Sequence, residues 1–240
     1  MKNEIIKAIE ELEKRLEGLT DEEEIAECFA DYKAEIREER KDLNKLEWDE
    51  IEKLMQNPDK KKLFKVGSYK EEELYTGEKV KVQLISLNPH DELTDRHGKA
   101  SAAFMFFIDG EYEMNETATN KGGWKDSKMR NTYMQRFFKL LPEKLQKVIK
   151  SVAKTTNGEI TEDKLFILSE MEATGENNYS YSGEGKQYEF FKKNTLPSKW
   201  CWLRSPYTYS GSSFCNWYST GYVTYYSANS AYRVALCFCI

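Results

Sequence analysis

The sequence predicts an α+β protein, with a helical N-terminal element over residues 1–60 and a mixed domain over residues 61–240. Three observations carry that reading. Ile5, Ile9, Leu12, Leu16 and Leu19 step by 4, 3, 4 and 3, the apolar stripe of a helix with a heptad seam. Val80, Val82 and Leu84 alternate with Lys81 and Gln83, as in a half-buried strand. The closing run Val234-Ala-Leu-Cys-Phe-Cys-Ile240 is apolar at odd and even positions alike, as in a strand buried on both faces.

Taken in order, the first stripe ends at Gly18, and Thr20-Asp-Glu-Glu23 reads as a capping box that opens a second helix. Ile25, Phe29, Tyr32, Ile36 and Leu43 form its stripe. A third short helix holds Trp48, Ile51, Leu54 and Met55 and stops before Pro58. Two or three heptads per helix fit either a hairpin packed on its own domain or a coiled-coil element through which residues 1–60 make a homo-oligomer. Beyond it, Ala102 to Ile108 reads as a buried strand, and Ser127 to Leu141 as a helix. Pro142 marks the start of another helix reaching Val152, and Lys164 to Ser169 is a short core element. Gly175 to Gly185 is a polar loop.

Composition excludes several classes. The 240 residues are long enough to bury a sizeable core. No apolar run reaches the roughly 18–20 residues of a membrane helix, so no membrane insertion is expected. The start lacks an apolar signal core, so synthesis in the cytoplasm is expected, with a virion or cell surface open as the final location. A net charge of −5 gives no bulk attraction to nucleic acid. Five cysteines, an odd number, read as reduced thiols. The charge is unevenly placed: residues 1–60 carry net −9 and the remainder +4.

Residues 205–240 contain one charged side chain, Arg233, where average usage would place about eleven. From Ser205 to Tyr232, 19 of 28 residues are Tyr, Ser, Thr or Asn, and seven of the chain's 15 tyrosines fall there. Tyr offers a flat apolar face and a hydroxyl while freezing only two torsions, and Ser and Asn add adaptable hydrogen bonds; antibody loops use the same mixture. Trp202, Phe214, Trp217, Val223 and Val234 recur as core teeth, so the segment reads as a folded, exposed, uncharged recognition surface.

Trp202-Leu-Arg-Ser-Pro206, Phe214-Cys-Asn216, Gly221 and Phe238-Cys-Ile240 resemble the variable proteins of diversity-generating retroelements, closest to forms from gut bacteria and their phages. Lys121-Gly-Gly-Trp-Lys-Asp-Ser-Lys-Met-Arg130 is similar to the strand-to-helix segment of the same domains. The resemblance covers roughly residues 61–240 and implies a C-type-lectin-like domain of the subtype shared with formylglycine-generating enzymes. It implies that a reverse transcriptase miscopies template adenines, so that AAC-type codons never yield Met, Gln, Lys, Glu or Trp. The first four are absent from Tyr207 to Tyr232, and Trp217 is then either a fixed scaffold position or a departure from that rule. The variable, ligand-binding residues it implies are Tyr207, Tyr209, Ser210, Ser212, Ser213, Tyr218, Thr220, Tyr222, Thr224, Tyr225, Tyr226, Ser230 and Tyr232, projecting from one solvent face within a hypervariable stretch of about 205–233. The scaffold residues are Trp202, Arg204, Phe214, Cys215, Trp217, Gly221, Val234, Phe238 and Cys239.

The expected partner is a protein or a surface glycoconjugate, with no catalytic residue, cofactor or metal. The rivals are a cysteine or metal enzyme of the formylglycine-generating kind, built on Cys201, Cys215, Cys237 or Cys239, and a structural phage component. Calcium in the variable site is disfavoured because the tail has no carboxylate. Asn88 to His97 gathers both histidines with several carboxylates and reads as a solvated, capped loop, with a metal or acid/base role as the alternative. Lys60-Lys-Lys-Leu-Phe-Lys65 reads as a solvated linker.

Overall fold

A computed structural model describes residues 2–38, 41–195 and 200–240, with side chains over 9–22, 24–32, 41–195 and 200–240. The chain divides into two compact units: residues 1–41 with 62–64, and residues 42–61 with 65–240.

In the first unit, α1 (Lys2–Leu16) and α2 (Glu22–Glu38) form the helical element the stripes predict. The chain turns at Gly18, whose φ of 92° lies in the left-handed region glycine tolerates. The cap falls one residue later than expected: the Asp21 carboxylate, not the Thr20 hydroxyl, accepts the Glu24 N–H at 3.3 Å. Arg15 pairs with Glu11 and lies over the Tyr32 ring. Leu12, Leu16 and Ile25 are half-buried, whereas Ile9 and Phe29 are exposed. The side chains of Ile5 and Ile36 lie outside the described residues.

The second unit is built on a seven-stranded sheet in the order β1-β2-β3-β9-β6-β7-β8. Its strands are β1 (Tyr69–Glu73), β2 (Lys79–Leu87), β3 (Ala102–Glu113), β6 (Cys201–Pro206), β7 (Ser213–Trp217), β8 (Val223–Ser227) and β9 (Ala231–Cys239). The two-sided apolar run occupies the centre, as its pattern requires. β9 pairs antiparallel with β3, Phe104 opposite Phe238, and parallel with β6 at Cys201 and Arg233. Every residue from Val234 to Ile240 is buried.

The sequence boundary at residue 60 falls inside this unit. Helix α3 (Trp48–Met55) buries Trp48, Ile51 and Met55. The Trp48 ring meets Phe104 edge-on at 5.6 Å and Phe238 at 5.9 Å. Trp48 Nε1 donates to Glu72 at 2.6 Å. The helix therefore forms part of the sheet's core.

Between β3 and β6 lie α5 (Gly123–Asp126), α6 (Gln135–Leu140), α7 (Glu143–Val148) and α8 (Glu170–Thr174). The helix expected over Ser127 to Leu141 is a π-helical stretch, Met129–Met134, running into α6. Pro142 caps α7, which ends at Val148 rather than Val152. Helix α4 (Lys60–Leu63) replaces part of the expected basic linker. Its Lys60 is buried, with Nζ donating to the carbonyls of Met55 and Ser101 at 2.8 Å. A separate hairpin, β4 (Val152–Thr156) and β5 (Glu159–Asp163), turns through Asn157-Gly158, both at positive φ. That dipeptide is the usual signal for a two-residue hairpin turn.

Candidate binding surface

The Tyr/Ser-rich segment folds into β7, β8 and the loops joining them to β6 and β9. The scaffold side chains anchor it. Trp202, Arg204, Phe214, Cys215, Trp217, Val234, Phe238 and Cys239 are all buried. Gly221 is half-buried and holds the β7–β8 turn at φ 89°, its N–H donating to the Tyr218 carbonyl at 2.9 Å.

Of the thirteen residues expected to project outward, Tyr209, Thr220, Tyr222 and Tyr225 are exposed, and Tyr207, Ser210, Ser212, Tyr218, Thr224, Tyr226, Ser230 and Tyr232 are half-buried. Ser213 is a correction: it is buried at the start of β7, paired with Ser227. The single solvent face is a second correction, and strand alternation is the cause. Tyr225 and Tyr226 are neighbours on β8 and point to opposite sides. Tyr225 stacks on Tyr207, with centroids 3.7 Å apart and planes 7° from parallel, and both meet Tyr179. Tyr209 meets Tyr207 edge-on. Tyr226 instead contacts Tyr232 at 4.7 Å and Trp200 at 5.5 Å, and Trp200 tilts against Tyr218 at 4.6 Å. Two aromatic patches result.

Sequence reasoning missed three residues that shape them. Tyr179, in the polar loop, joins the first patch. Its amide donates to the Glu170 carboxylate at 3.0 Å and its carbonyl accepts from the Thr208 amide. Trp200 joins the second patch. Asn120 aims Nδ2 at the carbonyls of Ser210 and Ser213 at 2.8 Å, and its amide donates to the Gly211 carbonyl, so one side chain holds the loop between β6 and β7. Only the placement of Trp200 beside the tail was available in the sequence.

The first patch carries no charge of its own. Two of its phenols resist ionisation: the hydrogen bond with Tyr225 raises Tyr207 to about 12, and the nearby Tyr222 phenol raises Tyr179. Arg233, the tail's single charge, lies over the Phe107 ring. Weighted by exposures of 82%, 58% and 41%, Tyr209, Tyr222 and Tyr225 offer roughly 350 Å² together. One side of a standard interface needs about 800 Å², so the half-buried Tyr, Ser and Thr side chains must supply the rest.

Beneath the surface, Arg204 belongs to a buried ionic cluster. Its guanidinium binds the Glu172 carboxylate, the Thr156 hydroxyl and the Ile167 and Glu184 carbonyls. Lys154 Nζ lies 2.5 Å from both Asp91 and Glu172, and 3.1 Å from the Tyr188 hydroxyl. Burial alone would push Lys154 down, but the Asp91 and Glu172 charges hold it above its usual value. Burial pushes Glu172 up, but Arg204 and Lys154 hold it well below. Glu184, accepting from the Asn157 amide and the Ser205 hydroxyl, is raised by burial to about 7. The Asn88 to His97 loop is thus not wholly solvated: Asp91 is buried in this cluster, and His90 Nε2 lies 3.2 Å from Glu172, whereas His97 is exposed. His90, Asp91 and Glu172 are the one set among the described residues with cation-ligand spacing, but the Lys154 ammonium already supplies the positive charge between the carboxylates.

The fold and surface therefore define an α+β protein with an aromatic, uncharged face on a buried scaffold. Residues 96–240, more than half of the chain, match the family described as a domain of unknown function, DUF6273, and the chain belongs to that family. No curated protein and no solved structure matches the chain. Among the described residues, no helix is long and apolar enough to cross a membrane.

Proposed function

We propose that the chain is a ligand-binding protein of the receptor or adhesion type, with a C-type-lectin-like scaffold whose Tyr/Ser-rich surface is diversified by a retroelement. One observation carries this reading. Twelve of the thirteen expected variable side chains are at least partly solvent-facing, while eight of the nine expected scaffold residues are buried. Such a division lets side chains be exchanged at little cost to the core. Burial of Tyr faces against a protein or a surface glycoconjugate is the binding mode.

The test is genomic. A near-copy of the coding sequence for residues 200–240 is expected beside a reverse-transcriptase gene, differing at adenines in the codons of Tyr209, Tyr222 and Tyr225. Differences spread equally over the Trp202, Arg204 and Trp217 codons would overturn the proposal.

The rival cysteine enzyme needs an accessible, low-pKa thiol. Cys201, Cys215, Cys237 and Cys239 are buried. Burial pushes Cys201 up to about 12 and the other three well above their usual value. Titration of the native protein with an aromatic disulfide reagent should label only Cys28 quickly, and all five thiols after unfolding. A fast-reacting thiol in the sheet would favour the enzyme.

A further inference from the structure

A cleft of about 1170 Å³ opens in the larger unit, and it shares no residue with the aromatic patches. Its walls carry Lys61, Lys65, Lys99, Lys186, Lys192 and Lys193, against a single carboxylate, Glu189. All six lysines are exposed, and none forms an ion pair within 4.0 Å among the described residues. At the chain's own composition, nineteen lining residues would hold about three cations and three carboxylates. The excess stands out because the chain is net negative, and like charges gathered in a concavity repel one another and raise the local potential. The lysines come from positions far apart in the sequence, so no single basic run accounts for them.

The floor is built. Tyr188 is buried there, its hydroxyl held by Asp91 at 2.8 Å. The His90 ring lies 5.2 Å from it, with Nε2 accepting the Lys186 amide at 3.3 Å. Asn88, Gln187 and Asn194 add amide groups, and Phe190 adds an aromatic wall.

We propose that this cleft binds a small ligand bearing several phosphate groups. Lysine ammoniums are compact point charges suited to phosphate oxygens, whereas planar recognition of a carboxylate favours Arg, which is absent from the lining. Several separated cations match several phosphates. A concave site encloses a small molecule, whereas duplex nucleic acid and a lipid surface require a broad outer face.

The test is calorimetric titration of the full chain with sodium tripolyphosphate at about 50 mM salt, where screening is weak. Lys186→Gln, Lys192→Gln and Lys193→Gln are combined in one variant. A control of equal charge combines Lys79→Gln, Lys121→Gln and Lys147→Gln, all exposed and outside the cleft. Both variants should keep the thermal midpoint of the parent, because the replaced side chains are solvated. The cleft variant should lose about tenfold or more in affinity and the control less than about twofold. No binding by the parent, or equal losses in the two variants, would overturn the proposal. So would binding of a DNA duplex or of vesicles rich in anionic lipid through the cleft lysines without binding of tripolyphosphate.

Discussion

Glu184 carries the clearest pH signature at the residue scale. Its pKa is about 7 in the fold and 4.5 ordinarily. Above pH 7 it is ionised in both states, and the cost of burying its charge is complete. As pH falls from 7 to 4.5 the folded form takes up the proton first, so stability from this group rises. Glu172 works oppositely: its depressed pKa contributes stability above 4.5 that is lost only at lower pH. In urea denaturation the wild type should gain up to about 3 kcal/mol between pH 8 and pH 5 from Glu184. Glu184→Gln should remove that slope and be no less stable than wild type at pH 8. Lys154→Met leaves Asp91 buried without its lysine and Glu172 with Arg204 alone, and should cost about 3–5 kcal/mol by the same assay. A loss below about 1 kcal/mol would show that the cluster is wetter than its geometry indicates.

Elements set which substitutions the tail tolerates. β8 is an edge strand and presents rings on both sides, whereas β9 is central: only its first residues, among them Tyr232, reach the surface, and every residue from Val234 on is buried. Tyr209→Ser and Tyr222→Ser should each change stability by less than about 0.5 kcal/mol, because those rings are largely solvated. Trp202→Ala should cost about 3–5 kcal/mol: the ring is buried, and its Nε1 donates to the Tyr112 carbonyl at 2.7 Å. Thermal melts of the three variants give the comparison, and a Tyr222→Ser loss as large as that of Trp202→Ala would remove the division between scaffold and variable sets. β4 and β5 went unread: Asn157-Gly158 is their one local signal, since their residues Lys154, Thr156, Thr161 and Asp163 are polar yet buried. Strand β1 gives no apolar alternation, because Tyr-Lys-Glu-Glu-Glu is never deeper than half-buried at the sheet's edge.

At the scale of the whole molecule, the division near residue 42 has a direct consequence. A chain of residues 42–240 should fold with the parent's near-ultraviolet circular dichroism, since Trp48 stays on Phe104 and Phe238. Residues 61–240 lack Trp48, Ile51 and Met55, all buried, and should melt at least about 10 °C lower. Equal melting of the two truncations would place α3 outside the core. The two readings of the N-terminal helices separate on the same material: sedimentation equilibrium gives self-association for the full chain and a single chain for residues 42–240 if they are a coiled-coil element, and a single chain for both if they are a hairpin.

What the sequence by itself determined is local. Heptad spacing marked α1 and α2, two-sided apolarity placed β9 at the centre of a sheet, and the loss of charge after Ser205 marked the aromatic surface. Each of these signals lies in contiguous residues, where period and composition reflect burial directly. Only the tertiary structure decided that Trp48 belongs to the core, that the tyrosines split into two patches and that Tyr179 joins one of them. It also brought Asp91, Lys154, Glu172 and Arg204 into one buried cluster, and set lysines from 61 to 193 around one cleft. Those arrangements arise where strands and loops distant in the chain meet, and a charge in a linear sequence carries no mark of which opposite charge, or which cavity, will lie beside it once the chain has folded.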